Sequence, residues 1–362
     1  MKIVDIQTGH VCVPLKKAFK TALRTVEAVN DVIVRIITDT GHVGFGEAPP
    51  TGVITGDTTA SIVGAIEEHI KQQIVGMDIG DFENILAKLN NCIVNNTSAK
   101  AAVDIALYDL FGQLYNAPVY KLLGGSETRI TTDITVSVND PETMAKDCME
   151  AVALGYKTLK IKVGTDSAAD LRRMKAIRDA VGYDVELRID ANQGWKPKEA
   201  VKILRKMEDA GLDIEFVEQP VARFDFIGMK YVTDNVSIPV LADESVMSPM
   251  DALTIMQMGA ADLINIKLMK TGGLHNALKI CSAAEVYGVP CMIGCMLEAK
   301  VSVTAAVHLA AAKKIITKID LDGPVLCSED PVVGGAIFNN SLISLTDAPG
   351  LGITEIQGVS WH

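Results

Sequence analysis

Three carboxylates and three amines stand at the ends of short, β-branched runs, and their types and spacing limit the chemistry this chain could do. Asp190 closes DVELRID, Glu218 lies in IEFVEQP and Asp243 in IPVLADES. Oxygen ligands with no His or Cys alongside suit Mg²⁺ rather than Zn²⁺. One such acid alone is ordinarily a helix cap or a surface charge. Three at matched positions on consecutive runs form a candidate site. Glu244 is adjacent, and spacing does not choose between it and Asp243. Lys160 and Lys162 sit two apart in KTLKIKV and so share one strand face. Lys267 ends DLINIK with Asn265 on its own face, whereas Lys270 falls past the strand end and reads as solvated. Amines turned into a buried site are costly unless carboxylates or a substrate compensate them. Mutual repulsion and a metal's charge should lower their pKa values, towards the neutral amine that a base needs.

The elements that must carry these groups recur evenly. From residue 130 onward, TTDITVSV, KTLKIKV, DVELRID, IEFVEQP, IPVLADES, DLINIKL, PCMIGCM and IITKIDLD follow one another, with helical patterns between them. Their ends are 24 to 28 residues apart. Eight strands at one βα period predict an α/β fold, a parallel (β/α)8-type barrel with its site at the C-terminal mouth. A doubly wound sheet is the rival arrangement. In a barrel the second and sixth strands lie opposite one another, which places Lys162 and Lys267 on two faces of a bound ligand. Upstream, residues 1–15 and 31–39 read as strands, 16–29 as a polar, mobile capping loop, and 57–75, 82–92 and 98–115 as helices. The expected organisation is an α+β capping domain over 1–125, the barrel over 126–325, and a tail over 326–362 that returns to the cap.

Composition excludes several classes. Of 362 residues, 48% are hydrophobic and 22% charged, the balance of a globular protein rather than a disordered or coiled-coil one. A net charge of −11 argues against nucleic acid as a partner. Charges interrupt every apolar stretch and the start lacks a signal-like run, so neither membrane nor export is expected and a cytoplasmic location is. Seven cysteines with no C-x-x-C pair read as buried, reduced thiols.

In TLKIKVG, ELRIDANQGW, IEFVEQP, IPVLADES and DLINIKLMKTGG the chain resembles the enolase superfamily, in its muconate-lactonizing subgroup. The resemblance implies that Asp190, Glu218 and Asp243 hold one Mg²⁺, that Glu244 lies behind them, and that Lys162 and Lys267 are an acid/base pair. It also implies removal of a proton α to a carboxylate, with Lys160 adding positive charge near the carboxylate oxygens.

The seventh strand, PCMIGCMLEAK, has no His, which argues against acid-sugar dehydration. Asp320 and Asp322 share a face at the end of the eighth strand. They are either solvated turn acids or a pair for a substrate cation, and by resemblance they match the dipeptide epimerases, where such a pair takes the α-ammonium group. FKTALRT at 19–25 and VITGD at 53–57 resemble the Ala-Glu epimerases. A lone Arg in such a segment is more often a surface charge, but on that resemblance Arg24 would meet a glutamate side chain. Thr135, Cys295 and Leu297 share parity with barrel-facing positions and are expected to line the pocket. The expected partner is a small-molecule dipeptide, L-Ala-L-Glu from bacterial cell-wall peptide, and there is room for a homo-oligomer. The alternatives are another enzyme of the subgroup, a cycloisomerase or o-succinylbenzoate synthase, and a non-catalytic carboxylate-binding barrel.

Overall fold

The computed structural model describes residues 1–21 and 24–362. An antiparallel meander opens the chain, with β1 (Ile3–Lys20), β2 (Thr25–Thr38) and β3 (Val43–Ala48) paired in sequence order. Residues 16–20 and 25–29 are therefore strand, not the irregular loop expected from their polarity. After a register shift at Pro14/Phe19, the β1–β2 ladder resumes with Phe19 opposite Val26 and Lys20 opposite Thr25. Exposed and covered residues alternate from Thr25 to Ala28, the period of a half-buried strand, and that alternation decides the conformation. Ala22 and Leu23 of the FKTALRT stretch lie outside the described residues.

The helical pattern expected over 57–75 is present but broken, with a π-helical turn at Ile66–Ile70 between Thr59–Ala65 and Lys71–Ile74. Helix Thr97–Leu114 is buried on almost every side. It packs so tightly on β3 that a Cβ on Gly46 would sit 1.8 Å from Ala102 O, which only glycine permits.

Beyond β4 (Arg129–Thr131), eight parallel strands follow in unbroken order. They are β5 (Ile134–Val136), β6 (Thr158–Lys162), β7 (Glu186–Asp190), β8 (Ile214–Glu218), β9 (Val240–Ala242), β10 (Leu263–Ile266), β11 (Cys291–Gly294) and β12 (Ile316–Asp320). Sequential order is that of a barrel, since a doubly wound sheet would reverse direction partway. Ladders join every neighbouring pair but stop between β12 and β5, so the barrel is nearly closed. Short strands complete the chain: β13 (Val332–Gly334) with β16 (Ile353–Ile356), and β14 (Ile337–Asn339) with β15 (Leu342–Ser344), which pairs in turn with β4. At the end of the chain, His362 and Thr8 exchange backbone hydrogen bonds of 2.9 and 3.2 Å.

The meander is fastened to the barrel by acids at the start of helix Lys300–Ala312. Asp31 and Glu47 both accept from Ala299 N, at 3.2 and 2.8 Å, and Glu47 also accepts from Ser302 N at 2.8 Å. The cysteines are all free thiols, but Cys12 is exposed, against the expectation that all seven would be buried. Among the described residues, no helix is long and apolar enough to cross a membrane.

Candidate active site

A parallel strand buried on both faces is normally apolar throughout. Here the mouth-facing ends carry charge, and the strands bring those charges together. Lys160 Nζ lies 2.6 Å from Glu218, 2.7 Å from Asp320 and 3.4 Å from Asp190. Lys162 Nζ is 2.6 Å from Asp190, and Lys267 Nζ is 2.8 Å from Asp243. β6 and β10 stand four places apart in the eight-strand order, so Lys162 and Lys267 face the mouth from opposite walls.

Lys270 is not solvated. The short helix Leu268–Thr271 folds it back under the strand ends, fully buried, 2.6 Å from Asp243 Oδ1 and donating to Asn265 O at 2.9 Å. Asp243 is thus held by two amines. Backbone and amide groups fix the other acids. Asn192 N donates to Asp190 at 2.8 Å, Asn192 Nδ2 to Glu244 at 3.2 Å, and Asn265 Nδ2 to Glu218 at 2.7 Å. Gln219 Oε1 accepts from Asp243 N and Ser245 N, which ties the fourth strand's end to the fifth's. Asn192, Gln193 and Gln219 all have positive φ, of 41°, 69° and 37°. Left-handed backbone in non-glycine residues is costly, and it falls just after two of the site's carboxylates.

Burial raises every acid here, and the neighbours then separate them. Lys162 and Lys160 overcome burial at Asp190 and hold it low, as Lys267 and Lys270 do at Asp243 and Lys160 at Asp320. Burial and the charge of Asp190 push Glu218 up to about 7, and burial with Asp243 pushes Glu244 up to about 8. Burial and Asp320 raise Asp322 to about 6. Lys160 and Lys267 do not follow the expectation from mutual repulsion. Burial favours their neutral form, but the surrounding carboxylates outweigh it and raise Lys160 and Lys267.

Thr135, Cys295, Leu297, Asp320, Asp322 and Arg24 all line one cavity of about 70 Å³ together with Lys160, Lys162 and Lys267. Asp322 also accepts from Thr135 N at 2.7 Å. Arg24 is half-buried beside the hairpin tip, where its backbone N donates to Thr21 Oγ1 at 3.2 Å. The cavity adds residues that the strand pattern did not single out: Phe19, Thr21, Val53, Ile54, Asn192 and Met296. Asn192 was within reach, two positions past Asp190 on the same run. Met296 ends the PCMIGCM run, whereas Phe19, Thr21, Val53 and Ile54 fall in FKTALRT and VITGD, outside the barrel strands.

Among the described residues, no three Asp, Glu, His or Cys side chains converge as a ready metal shell; Glu218, Asp190 and Asp243 each lie against a lysine instead. The donor set nevertheless fits a hard cation. Glu218 Oε2, Asp243 Oδ1 and Glu244 Oε2 are buried acceptors with no hydrogen bond, the first two of them lying 2.6 Å from Lys160 and Lys270 without hydrogen-bond geometry. Buried carboxylate oxygens short of donors are what Mg²⁺ coordinates.

Residues 3–124 match the mandelate racemase / muconate lactonizing enzyme N-terminal domain, and residues 143–356 match the enolase C-terminal domain-like family. The L-Ala-D/L-Glu epimerase of Clostridium acetobutylicum is 68% identical over 357 residues, 99% of this chain and 100% of that protein. The substrate-liganded L-Ala-D/L-Glu epimerase of Bacillus subtilis superposes with a TM-score of 0.97 at 51% identity, covering 99% of this chain and 100% of that one. The dipeptide epimerase of Enterococcus faecalis, complexed with Mg and L-Leu-L-Tyr, gives 0.95 at 46% identity over 98% and 100%. With a mouth of opposed lysines and buried carboxylates on a nearly closed barrel, and both halves of the chain matched, this protein belongs to the enolase superfamily, in its mandelate racemase / muconate lactonizing enzyme group.

Proposed function

We propose that this protein is a Mg²⁺-dependent dipeptide epimerase that interconverts L-Ala-L-Glu and L-Ala-D-Glu. The observation that carries the reading is the pair Lys162 and Lys267, facing one cavity from opposite walls with Arg24, Asp320 and Asp322 around it. Inverting a stereocentre needs a proton taken from one side and returned from the other, and a single base cannot do both. Lys162 Nζ would take or give the α-proton on one face and Lys267 Nζ on the other. The identity to the Clostridium and Bacillus epimerases supports the same reading.

Asp190, Glu218 and Asp243 would hold the metal, with Glu244 behind them. When bound, Mg²⁺ supplies positive charge against the carboxylate next to the departing proton. Lys160, within 2.7 Å of Asp320 and Glu218, would add charge on the same side. Asp320 and Asp322 would take the substrate's α-ammonium group, and Arg24 the glutamate side chain as a planar, bidentate partner. Thr135, Cys295 and Leu297 would close around the small alanine. A cavity of about 70 Å³ is far below the roughly 300 Å³ of a pocket that encloses a small ligand, so lining side chains such as Phe19 and Arg24 would have to shift to admit the dipeptide. A cytoplasmic enzyme acting on cell-wall peptide fits this chemistry.

The test is to incubate L-Ala-L-Glu with the protein and Mg²⁺ in D₂O and follow the glutamate α-position by NMR. Deuterium should enter as the D-epimer appears, chelation should stop both, and Mg²⁺ should restore them. Full activity in excess chelator would reject the metal-dependent reading.

A further inference from the structure

The barrel lacks a ladder at one place, the seam between β12 and β5, and that seam carries Asp320 and Asp322. Elsewhere each strand end is registered by parallel hydrogen bonds to both neighbours. Here one long backbone contact, Asp133 N to Ile319 O at 3.4 Å, accompanies a set of side-chain bonds. Leu321 N, between the two acids, donates to Thr132 Oγ1 at 2.8 Å. Arg188, buried on β7, reaches across the barrel interior. Its Nη1 donates to Ile319 O at 3.1 Å and to Asp133 Oδ2 at 2.7 Å, while Nε donates to Glu215 at 2.6 Å. Lys318, one turn of the pleat below Asp320, pairs with the other oxygen of Glu215. Arg188 also lies over the ring of Phe216, 5.2 Å from its centre, which clusters with Leu241, Leu263 and Met292.

We propose that Arg188 is a positioning residue that holds strand eight to strand one beneath Asp320 and Asp322, so that both acids keep the spacing needed to grip a substrate ammonium group. This rests on the reading of Asp320 and Asp322 as the ammonium partners. A planar fork that reaches a backbone carbonyl and two carboxylates at once fixes direction as well as distance, which a lysine cannot reproduce. Thr132 supplies the second tie. Without them the seam relaxes and the acids lose register, while the metal carboxylates and the opposed lysines, on strands with full ladders, keep theirs.

The experiment compares L-Ala-L-Glu with N-propionyl-L-glutamate, the same molecule without the ammonium group, by α-proton exchange in D₂O with the Mg²⁺-loaded enzyme. The variants are Arg188→Lys and Thr132→Val, the second a near-isosteric change that removes one hydrogen bond and should fold even if the first does not. The wild type should prefer the dipeptide. Each variant should cut that preference about tenfold, through a higher KM for L-Ala-L-Glu, with exchange of the propionyl compound little changed. Equal losses on both compounds, or an unchanged preference, would overturn the positioning role and leave the ammonium reading intact. A wild type with no preference would reject the ammonium reading itself, and this inference with it.

Discussion

Two groups of buried acids in this molecule meet burial with different neighbours. At the barrel mouth, Asp190, Glu218, Asp243 and Asp320 lie against Lys160, Lys162, Lys267 and Lys270 at 2.6–3.4 Å. At the junction of the meander with the barrel, Asp31, Glu47 and Glu298 have no Lys or Arg within ion-pair distance among the described residues; backbone and hydroxyl donors serve them instead. Burial accordingly drives Asp31 well up and, with Glu47 nearby, Glu298 up to about 7. At the mouth the amines hold Asp190, Asp243 and Asp320 low, while Glu218 still rises to about 7. At the junction Asp31 and Glu298 are pushed towards their protonated forms, as a joint that only has to hold can tolerate. Burial of an acid is therefore not by itself a sign of catalysis; the presence of opposed amines is what separates the two regions.

The largest effect should come from breaking the mouth's opposition. Lys162→Ala and Lys267→Ala should each abolish epimerisation, a loss of about 10³-fold or more, because general acid–base catalysis by one group contributes on the order of 10²–10⁴ and both protons must move. One variant should still wash deuterium into a single epimer. Near wild-type epimerisation by Lys267→Ala would end the two-base account.

Next in size is Lys270→Met, which leaves Asp243 with one amine. Breaking a buried pair typically costs about 3–5 kcal/mol, so denaturant unfolding should show a loss of that order. An unchanged midpoint would mean that Lys267 compensates Asp243 alone.

The junction should reveal itself through pH. The Glu298 carboxyl keeps its proton to about pH 7 in the fold but loses it near its ordinary value when unfolded. Its contribution to stability is therefore full below about pH 4 and falls away as pH rises through about 7, up to roughly 3 kcal/mol. Unfolding curves at pH 5 and pH 8 should differ in that direction, and Glu298→Gln should flatten the difference. Parallel pH profiles for variant and wild type would show that Glu298 does not carry the slope.

The smallest predicted change is Arg24→Met, at the edge of the mouth. It should lower kcat/KM for L-Ala-L-Glu by about 10–100-fold, the worth of one charge-assisted pair, and spare L-Ala-L-Phe. Equal losses on both dipeptides would reject Arg24 as the reader of the glutamate side chain.

Local spacing alone determined much of this protein. The eight β-branched runs, the acids and amines at their ends, and the shared face of Lys160 and Lys162 were legible because a strand has a fixed period of two and the βα unit a near-constant length. The same local logic misplaced what leaves that period. Lys270 reads as solvated because it lies beyond a strand, yet a four-residue helix turns it under Asp243. Residues 16–29 read as a loop because polar side chains mask the alternation that the ladder uses. Other features needed the fold itself. Asp31 meets Ala299 across 268 residues, and Arg188 reaches Ile319 across 131. No local pattern records such pairs, since they exist only once the barrel closes and the meander docks, and burial then makes each unmet donor or charge too costly to leave alone.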